Sequence, residues 1–338
     1  MRIEQFDAAG DSAAARVLYD VYAAGAPVDE PGSPPMSFGV FRVMLEQGWC
    51  CEPREAWLAR SEPGAGGHAI VGGYTLELPD RENLDRSGLW IVVAPARRRA
   101  GLGAALLRHA SARASELGRS RLTGDVRAGT PGDAFARAAG AAAELTEARR
   151  TLDVRSIPAA RLAELRASIK AVSAGYALLE WSGPVPEAYL DAVAALNEAM
   201  GDAPRSAGEE RQSWDAERVR QTGRRAIRQG LRHYSVAARH EATGELAGLT
   251  EAAIDPADPE WGHQELTAVV RGHRGHRLGL LLKVAMLELL AERDPRMGRI
   301  ETYNAESNAH MVAINETLGY QVAGRLMFRQ LATAADRR

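Results

Sequence analysis

The chain has 338 residues, room for about two domains of ~150 residues each. Hydrophobic residues make up 46% and charged residues 25%, a globular balance that excludes a disordered or collagen-like chain. The 42 Lys plus Arg nearly cancel the 44 Asp plus Glu, so no global field draws the chain to nucleic acid or an anionic membrane.

The opening run MRIEQFDAAGD has charges where a signal peptide needs an apolar stretch, and no segment approaches 18 uninterrupted apolar residues. The expectation is a cytoplasmic protein that neither enters nor crosses a membrane. In chain order, Arg2–Phe6 reads as a strand and 26–35, rich in Pro and Gly, as a loop between helices. The two cysteines, Cys50 and Cys51, are adjacent, so they form no CxxC motif and read as core thiols. Strands follow at Trp57–Ala59, Ala69–Leu78 and Leu89–Val93, then a helix Gly101–Leu117, a strand Arg121–Val126, a short helix Asp133–Ala139 and a strand ending at Val154.

Leu162, Leu165 and Ile169 have helical spacing, so 156–175 is expected to be a linker helix between domains 1–155 and 176–338. The second half repeats the pattern: strand Tyr176–Trp181, helices Pro186–Met200 and Asp215–Gln229, then strands Tyr234–Ala238, Leu246–Ile254 and Glu265–Val270. Leu278, Leu281, Leu282, Ala285, Met286, Leu289 and Leu290 form the stripe of a helix laid on a sheet. Strand Arg299–Tyr303, helix Asn308–Leu318 and strand Tyr320–Phe328 complete a mixed α/β layout.

The halves are copies. Val93-Ala94-Pro95-Ala96-Arg97-Arg98-Arg99-Ala100-Gly101-Leu102-Gly103 is echoed 176 residues later by Val269-Val270-Arg271-Gly272-His273-Arg274-Gly275-His276-Arg277-Leu278-Gly279. A strand running through Arg- and Gly-containing residues into a helix offers unpaired N–H groups and partial positive charge to a pyrophosphate. Arg98, Arg99, Arg274 and Arg277 add countercharge. Neither copy has the Walker pattern GxxxxGK[ST] or a dinucleotide GxGxxG. His273 and His276 lack a third ligand for zinc, and the cluster around them lacks the aromatics of a nucleic-acid surface.

Val93-Ala94-Pro95 followed by Arg98-x-x-Gly101-x-Gly103 resembles the coenzyme A loop of the GNAT acetyltransferase superfamily. The second copy is similar, with Arg271 and Arg277 as departures. Asn308 to Tyr320 resembles the superfamily's second signature, of which the first half keeps only Phe135 and Gly140. Two such domains in tandem resemble the group that includes mycothiol synthase.

The resemblance implies an acetyl-CoA- or other acyl-CoA-dependent N-acyltransferase acting on a small-molecule amine, with the C-terminal copy catalytic and no metal. Alternatives are a non-catalytic acyl-CoA sensor or an active N-terminal copy. It implies cofactor contacts from Val269, Arg274, Gly275, His276, Arg277, Leu278, Gly279, Leu280 and Asn308, and in the first copy from Val93, Arg98, Arg99, Gly101, Leu102, Gly103 and Ala104.

Strand alternation places His263, Glu265, Thr267 and Val269 on one face, making Glu265 a candidate base with Glu251 as its rival. The superfamily's tyrosine position holds Asn315, which cannot act as an acid, so Tyr303 is the preferred proton donor and Tyr320 a core residue. Asp202, Glu209 and Glu210 lie in a polar loop, 197–214, near the expected acceptor pocket and read first as solvated. A monomer or homodimer fits the sequence equally.

Overall fold

The computed structural model describes residues 1–48, 51–62, 69–199, 206 and 208–333. The chain packs as two compact units: Met1–Thr146 with Ser206–Glu210 and Arg325–Arg338, and Glu147–Arg205 with Arg211–Gly324.

In unit 1, β1 (Arg2–Gln5) leads into α1 (Ser12–Asp29) and α2 (Phe38–Gln47). Strands β2 (Arg54–Arg60), β3 (Ile70–Glu77) and β4 (Arg86–Val93) extend the sheet in antiparallel order from β1. After α3 (Leu102–Glu116), β5 (Arg121–Arg127) joins β4 in parallel and α4 (Pro131–Ala138) follows. Leu18, Tyr22, Phe41 and Met44 bury α1 and α2 on one face, and Leu102, Leu106 and Ala110 bury α3 on the other.

α1 runs through Ala26 and Pro27 to Asp29, into the segment expected to be loop. Burial of Tyr22 and Ala26 outweighs the hydrogen bond that Pro27 cannot make.

Unit 2 repeats the scheme with β6 (Ala142–Asp153), α5 (Ala159–Lys170), β7 (Tyr176–Ser182), α6 (Leu190–Ala199), α7 (Ala216–Gln229), β8 (Arg232–His240), β9 (Leu246–Ile254), β10 (Trp261–Val269), α8 (Leu278–Arg293), β11 (Arg299–Ala305) and α9 (Ala309–Leu318). β7, β8, β9 and β10 are successive antiparallel neighbours, and β11 pairs with β10 in parallel. Leu190, Val193, Leu196 and Val219 seal α6 and α7 to one face, while α8 is buried on the other. Leu165 and Ile169 pack α5 into that same core, so the linker helix is part of unit 2.

Each sheet is closed by a strand from the other half of the sequence. The final strand, β12 (Gln321–Ala332), lays Leu326–Ala332 antiparallel to β5 in unit 1, where Arg329 forms a 2.7 Å ion pair with Asp133 and both are nearly buried. In unit 2, β11 pairs antiparallel with β6 from Arg299↔Asp153 to Ala305↔Glu147. A cut of the chain at 155 and 176 therefore differs from the packed units. An open sheet edge takes whichever strand satisfies its backbone groups, and sequence proximity does not decide which.

Beneath α8 lies a buried polar chain. Lys283 Nζ donates to Asn315 Oδ1 (2.8 Å), Asn315 Nδ2 donates to Asn304 Oδ1 (3.1 Å), and Arg150 donates to the same oxygen (3.0 Å). Burial brings Lys283 down to about 7. Between that value and its ordinary one the unfolded chain holds a proton that the folded chain does not, so stability rises with pH across the window and is lowest below it. Relative to Lys283→Met, the wild type should gain stability on the order of a few kcal/mol from pH 7 to 10, measured by urea unfolding. Parallel curves for the two proteins would contradict this.

Candidate functional site

The repeated loop keeps its geometry in both units. Ala94 N–H bonds Val71 O and Val270 N–H bonds Ala247 O, each at 2.9 Å. In an antiparallel ladder this turns the N–H and C=O of the preceding Val93 and Val269 away from that neighbour. Arg98 Nε then reaches Val93 O (3.2 Å), as Arg274 Nε reaches Val269 O (3.4 Å).

Left-handed backbone falls at Arg99 (φ 62°) and Gly101 (φ 82°), and at Gly275 (φ 92°) and Arg277 (φ 54°). At each of these two positions one copy has glycine and the other tolerates arginine. Gly101 and Arg277 cap α3 and α8, whose first residues, Leu102, Gly103 and Ala104 or Leu278, Gly279 and Leu280, have no carbonyl one turn back in their helix. Gly103 and Gly279 serve packing as well, since a Cβ would stand 3.4 Å from the Phe135 ring and 3.0 Å from Ile314 Cδ1.

Several side chains expected at the cofactor are engaged elsewhere. Arg98 forks onto Asp29 of α1 at 2.9 and 2.5 Å, so its charge is already matched. His273 Nδ1 meets the Tyr176 hydroxyl (2.9 Å), and His276 Nδ1 meets Val172 O (3.2 Å). These rings brace the loop, and Arg274 and Arg277 are exposed beside it. Asn308 accepts from Met311 N–H (3.2 Å) and caps α9.

Beside each loop the sheet opens. β10 and β11 pair only from Trp261↔Arg299 to His263↔Glu301, and β4 and β5 only from Arg86↔Arg121 to Gly88↔Thr123. Beyond those points each pair of strands parts, exposing backbone of the kind an extended amide chain can bond.

The units differ in one strand. β3 and β4 keep an unbroken register from Gly72↔Val93 to Glu77↔Gly88, whereas β10 shifts register between Gln264 and Thr267. Two residues, Glu265 and Leu266, thus stand opposite Glu251, the arrangement of a β-bulge. The bulge overturns the expected alternation. Gln264 Nε2 (2.8 Å) and Thr267 Oγ1 (2.7 Å) both meet Thr250 on the α8 face, while Leu266 packs under α6. Thr267 and Val269 are therefore on the side opposite His263 and Glu265.

On the α6 and α7 face the bulge gathers an acidic site. Glu251 accepts from Ser235 Oγ at 3.4 Å, and His233 Nδ1 lies 3.7 Å from Glu265 Oε2. Burial and the nearby Glu265 charge push Glu251 up to about 7, against the pull of the Ser235 hydroxyl. Glu265 is exposed, and burial lowers His233. At the apex of the opening, Glu301 takes Arg149 Nε (2.7 Å), His263 Nδ1 (3.1 Å) and the Tyr303 hydroxyl (3.3 Å). Burial opposes its ionisation, but the His263 and Arg149 hydrogen bonds and charges prevail and hold Glu301 at about 2.

Sequence reasoning missed Ser235, His233, Glu301 and Arg149, for register alone brings them together. Asn315 is fully buried in the Lys283 chain, and Tyr320 is a core residue at 4% exposure. Glu210 Oε2 accepts from Asn83 N–H (2.6 Å) and Glu209 from Ser206 N–H (3.1 Å), both within unit 1. Asp202 and Cys50 lie outside the described residues, and Cys51 sits half-buried at φ 61°, outside the core clusters. Among the described residues no group of three or more His, Cys, Asp or Glu is placed to hold a metal ion, and no helix is long and apolar enough to cross a membrane.

No family model and no curated protein matches the chain. Among solved structures it is similar to a tandem GNAT protein from the clavulanic acid biosynthesis pathway, at 31% identity over 98% of each chain and a TM-score of 0.82. The chain belongs to the tandem GNAT family. A GCN5-related N-acetyltransferase from Sphaerobacter thermophilus (16% identity, 98% of this chain and 95% of that one, TM-score 0.63) shares the GNAT fold. So does the glucosamine N-acetyltransferase region of a fungal multi-domain β-N-acetylglucosaminidase (12% identity, 98% of this chain and 38% of that one, TM-score 0.66). The tandem GNAT layout accounts for the repeated loop, the paired openings and the mixed sheet of each unit.

Proposed function

We propose that this tandem GNAT protein transfers an acetyl group from acetyl-CoA to the primary amine of a small molecule, with the chemistry in unit 2. The observation that carries the assignment is the bulge in β10. It supplies an extra residue, Glu265, and sets it beside Glu251, whereas unbroken β4 has Trp90 opposite Thr75.

A thioester carbonyl is attacked by a neutral amine, so the site must first remove a proton from an ammonium group. Glu251, poised near 7, accepts it, directly or through water, and exposed Glu265 passes it to solvent. Alternation along the strand favours Glu265 as base; here Glu251 takes that role. The outward N–H of Val269 and the α8 N-terminus receive the pantetheine amide and pyrophosphate, with Arg274 and Arg277 as countercharge. Unit 1 keeps the loop without the carboxylate pair, which fits binding without transfer.

Calorimetric titration with acetyl-CoA tests the placement. Gly279→Trp should abolish the site in unit 2, and CoA release with amines should stop with it. Binding and release that both survive this substitution and fail on Gly103→Trp would move the reaction to unit 1.

A further inference from the structure

Acyl transfer also needs a proton for the departing thiolate, and none of the groups above supplies it. Asn315 is no acid, and Lys283 is 1% exposed with its amine turned to Asn315. Tyr303 directs its hydroxyl at Glu301. Losing that proton would set a phenolate against a buried, ionised carboxylate, two like charges in contact.

His263 is placed differently. It is the last β10 residue paired with β11, at the point where the opening begins. Its side chain is 45% exposed while its partner Glu301 is 3% exposed, and Nδ1 lies 3.1 Å from Glu301 Oε1. A buried carboxylate on one ring nitrogen fixes the ring and leaves the other nitrogen to exchange protons. Arg149, 2.7 Å from the other Glu301 oxygen, keeps that carboxylate charged and in place. Unit 1 has Gly88 and Thr123 at the corresponding pair.

We infer that His263 is the catalytic acid of unit 2 and that Glu301 is its positioning residue. The inference rests on the proposed acetyl transfer. As the tetrahedral adduct collapses, the carbon–sulfur bond breaks with its electron pair going to sulfur. The imidazolium Nε2–H protonates that thiolate, and neutral His263 keeps Nδ1–H toward Glu301. The proton is restored from the amide nitrogen of the adduct, so donor and acceptor balance within one turnover. The ring's partner Glu301 on β11 is in turn held by Arg149 on β6 and by the Tyr303 hydroxyl, and Glu265 lies two residues farther along the ring's own strand.

The test measures CoA release from acetyl-CoA with an alkylamine, an arylalkylamine, an amino sugar and an amino-acid amide. His263→Gln keeps a donor for Glu301 but transfers no proton, and it should lower kcat roughly 10²- to 10⁴-fold with KM for acetyl-CoA nearly unchanged. His263→Ala should fall as far and recover at least tenfold with added imidazole, the more so the more acidic the imidazolium. Glu301→Gln should lower kcat less, without imidazole rescue. An active wild type with an equally active His263→Gln overturns the dyad alone, as does a folded His263→Ala that imidazole fails to rescue. A wild type that releases no CoA with any amine overturns the acetyl-transfer reading and the dyad together.

Discussion

Glu251→Gln is expected to lower kcat by roughly 10²- to 10⁴-fold, the range lost when a positioned general base is removed. The glutamine keeps the volume and the Ser235 contact but accepts no proton at neutral pH. The pH profile carries the sign. A base works when ionised, so the acidic limb of wild-type kcat/KM should climb with rising pH through a midpoint at about 7, where Glu251 is held. Glu265→Gln removes the like charge that helps raise Glu251, so this limb should move to lower pH. An unchanged limb in Glu265→Gln would show that the two carboxylates do not interact, and an active Glu251→Gln would remove Glu251 as base.

Ending the chain after Gly324 should unfold unit 1 while leaving the unit 2 sheet intact. Residues Leu326–Ala332 pair along the whole of β5, and Leu331 packs beneath α3. The truncation also strips Asp133 of Arg329, its nearly buried partner, leaving it Arg137 and the Gly129 N–H. Losing a charge-assisted hydrogen bond of this kind costs roughly 1.5–3 kcal/mol, and the lost β5 ladder adds to it against the roughly 5–15 kcal/mol that holds a domain together. Arg329→Met isolates that part of the loss. Hydrogen exchange should show β2, β3 and β4 losing protection in the truncated chain while β8, β9 and β10 keep it. Protection retained in β3 and β4 would contradict the strand assignment.

The sequence was a good guide wherever the fold depends on local pattern. The offset that pairs Val93 with Val269 also pairs their hydrogen-bonding neighbours, Ala94 with Val270 and Val71 with Ala247, so the loop was legible down to its backbone. The stripe along α8 and the burial of Tyr320 were equally plain.

Features that depend on register were not. One inserted residue in β10 sends Thr267 to the opposite face from His263, and strict alternation cannot foresee a bulge. The fork from Arg98 to Asp29 depends on α1 continuing through Pro27, which local propensity argues against. The exchange of β6 and β12 between the halves joins residues nearly 200 positions apart, such as Asp133 and Arg329. The Glu251 and Glu265 cluster was half visible: both carboxylates could be named, but not the bulge that sets them side by side.

The most direct test of the central claim is the rate of CoA release from acetyl-CoA, over the same panel of primary amines, by the wild type, by Glu251→Gln and by the unit 1 loop variant Gly103→Trp. Catalysis by unit 2 predicts amine-dependent release by the wild type, little change in Gly103→Trp and near-complete loss in Glu251→Gln. Loss in Gly103→Trp with full activity in Glu251→Gln would contradict it.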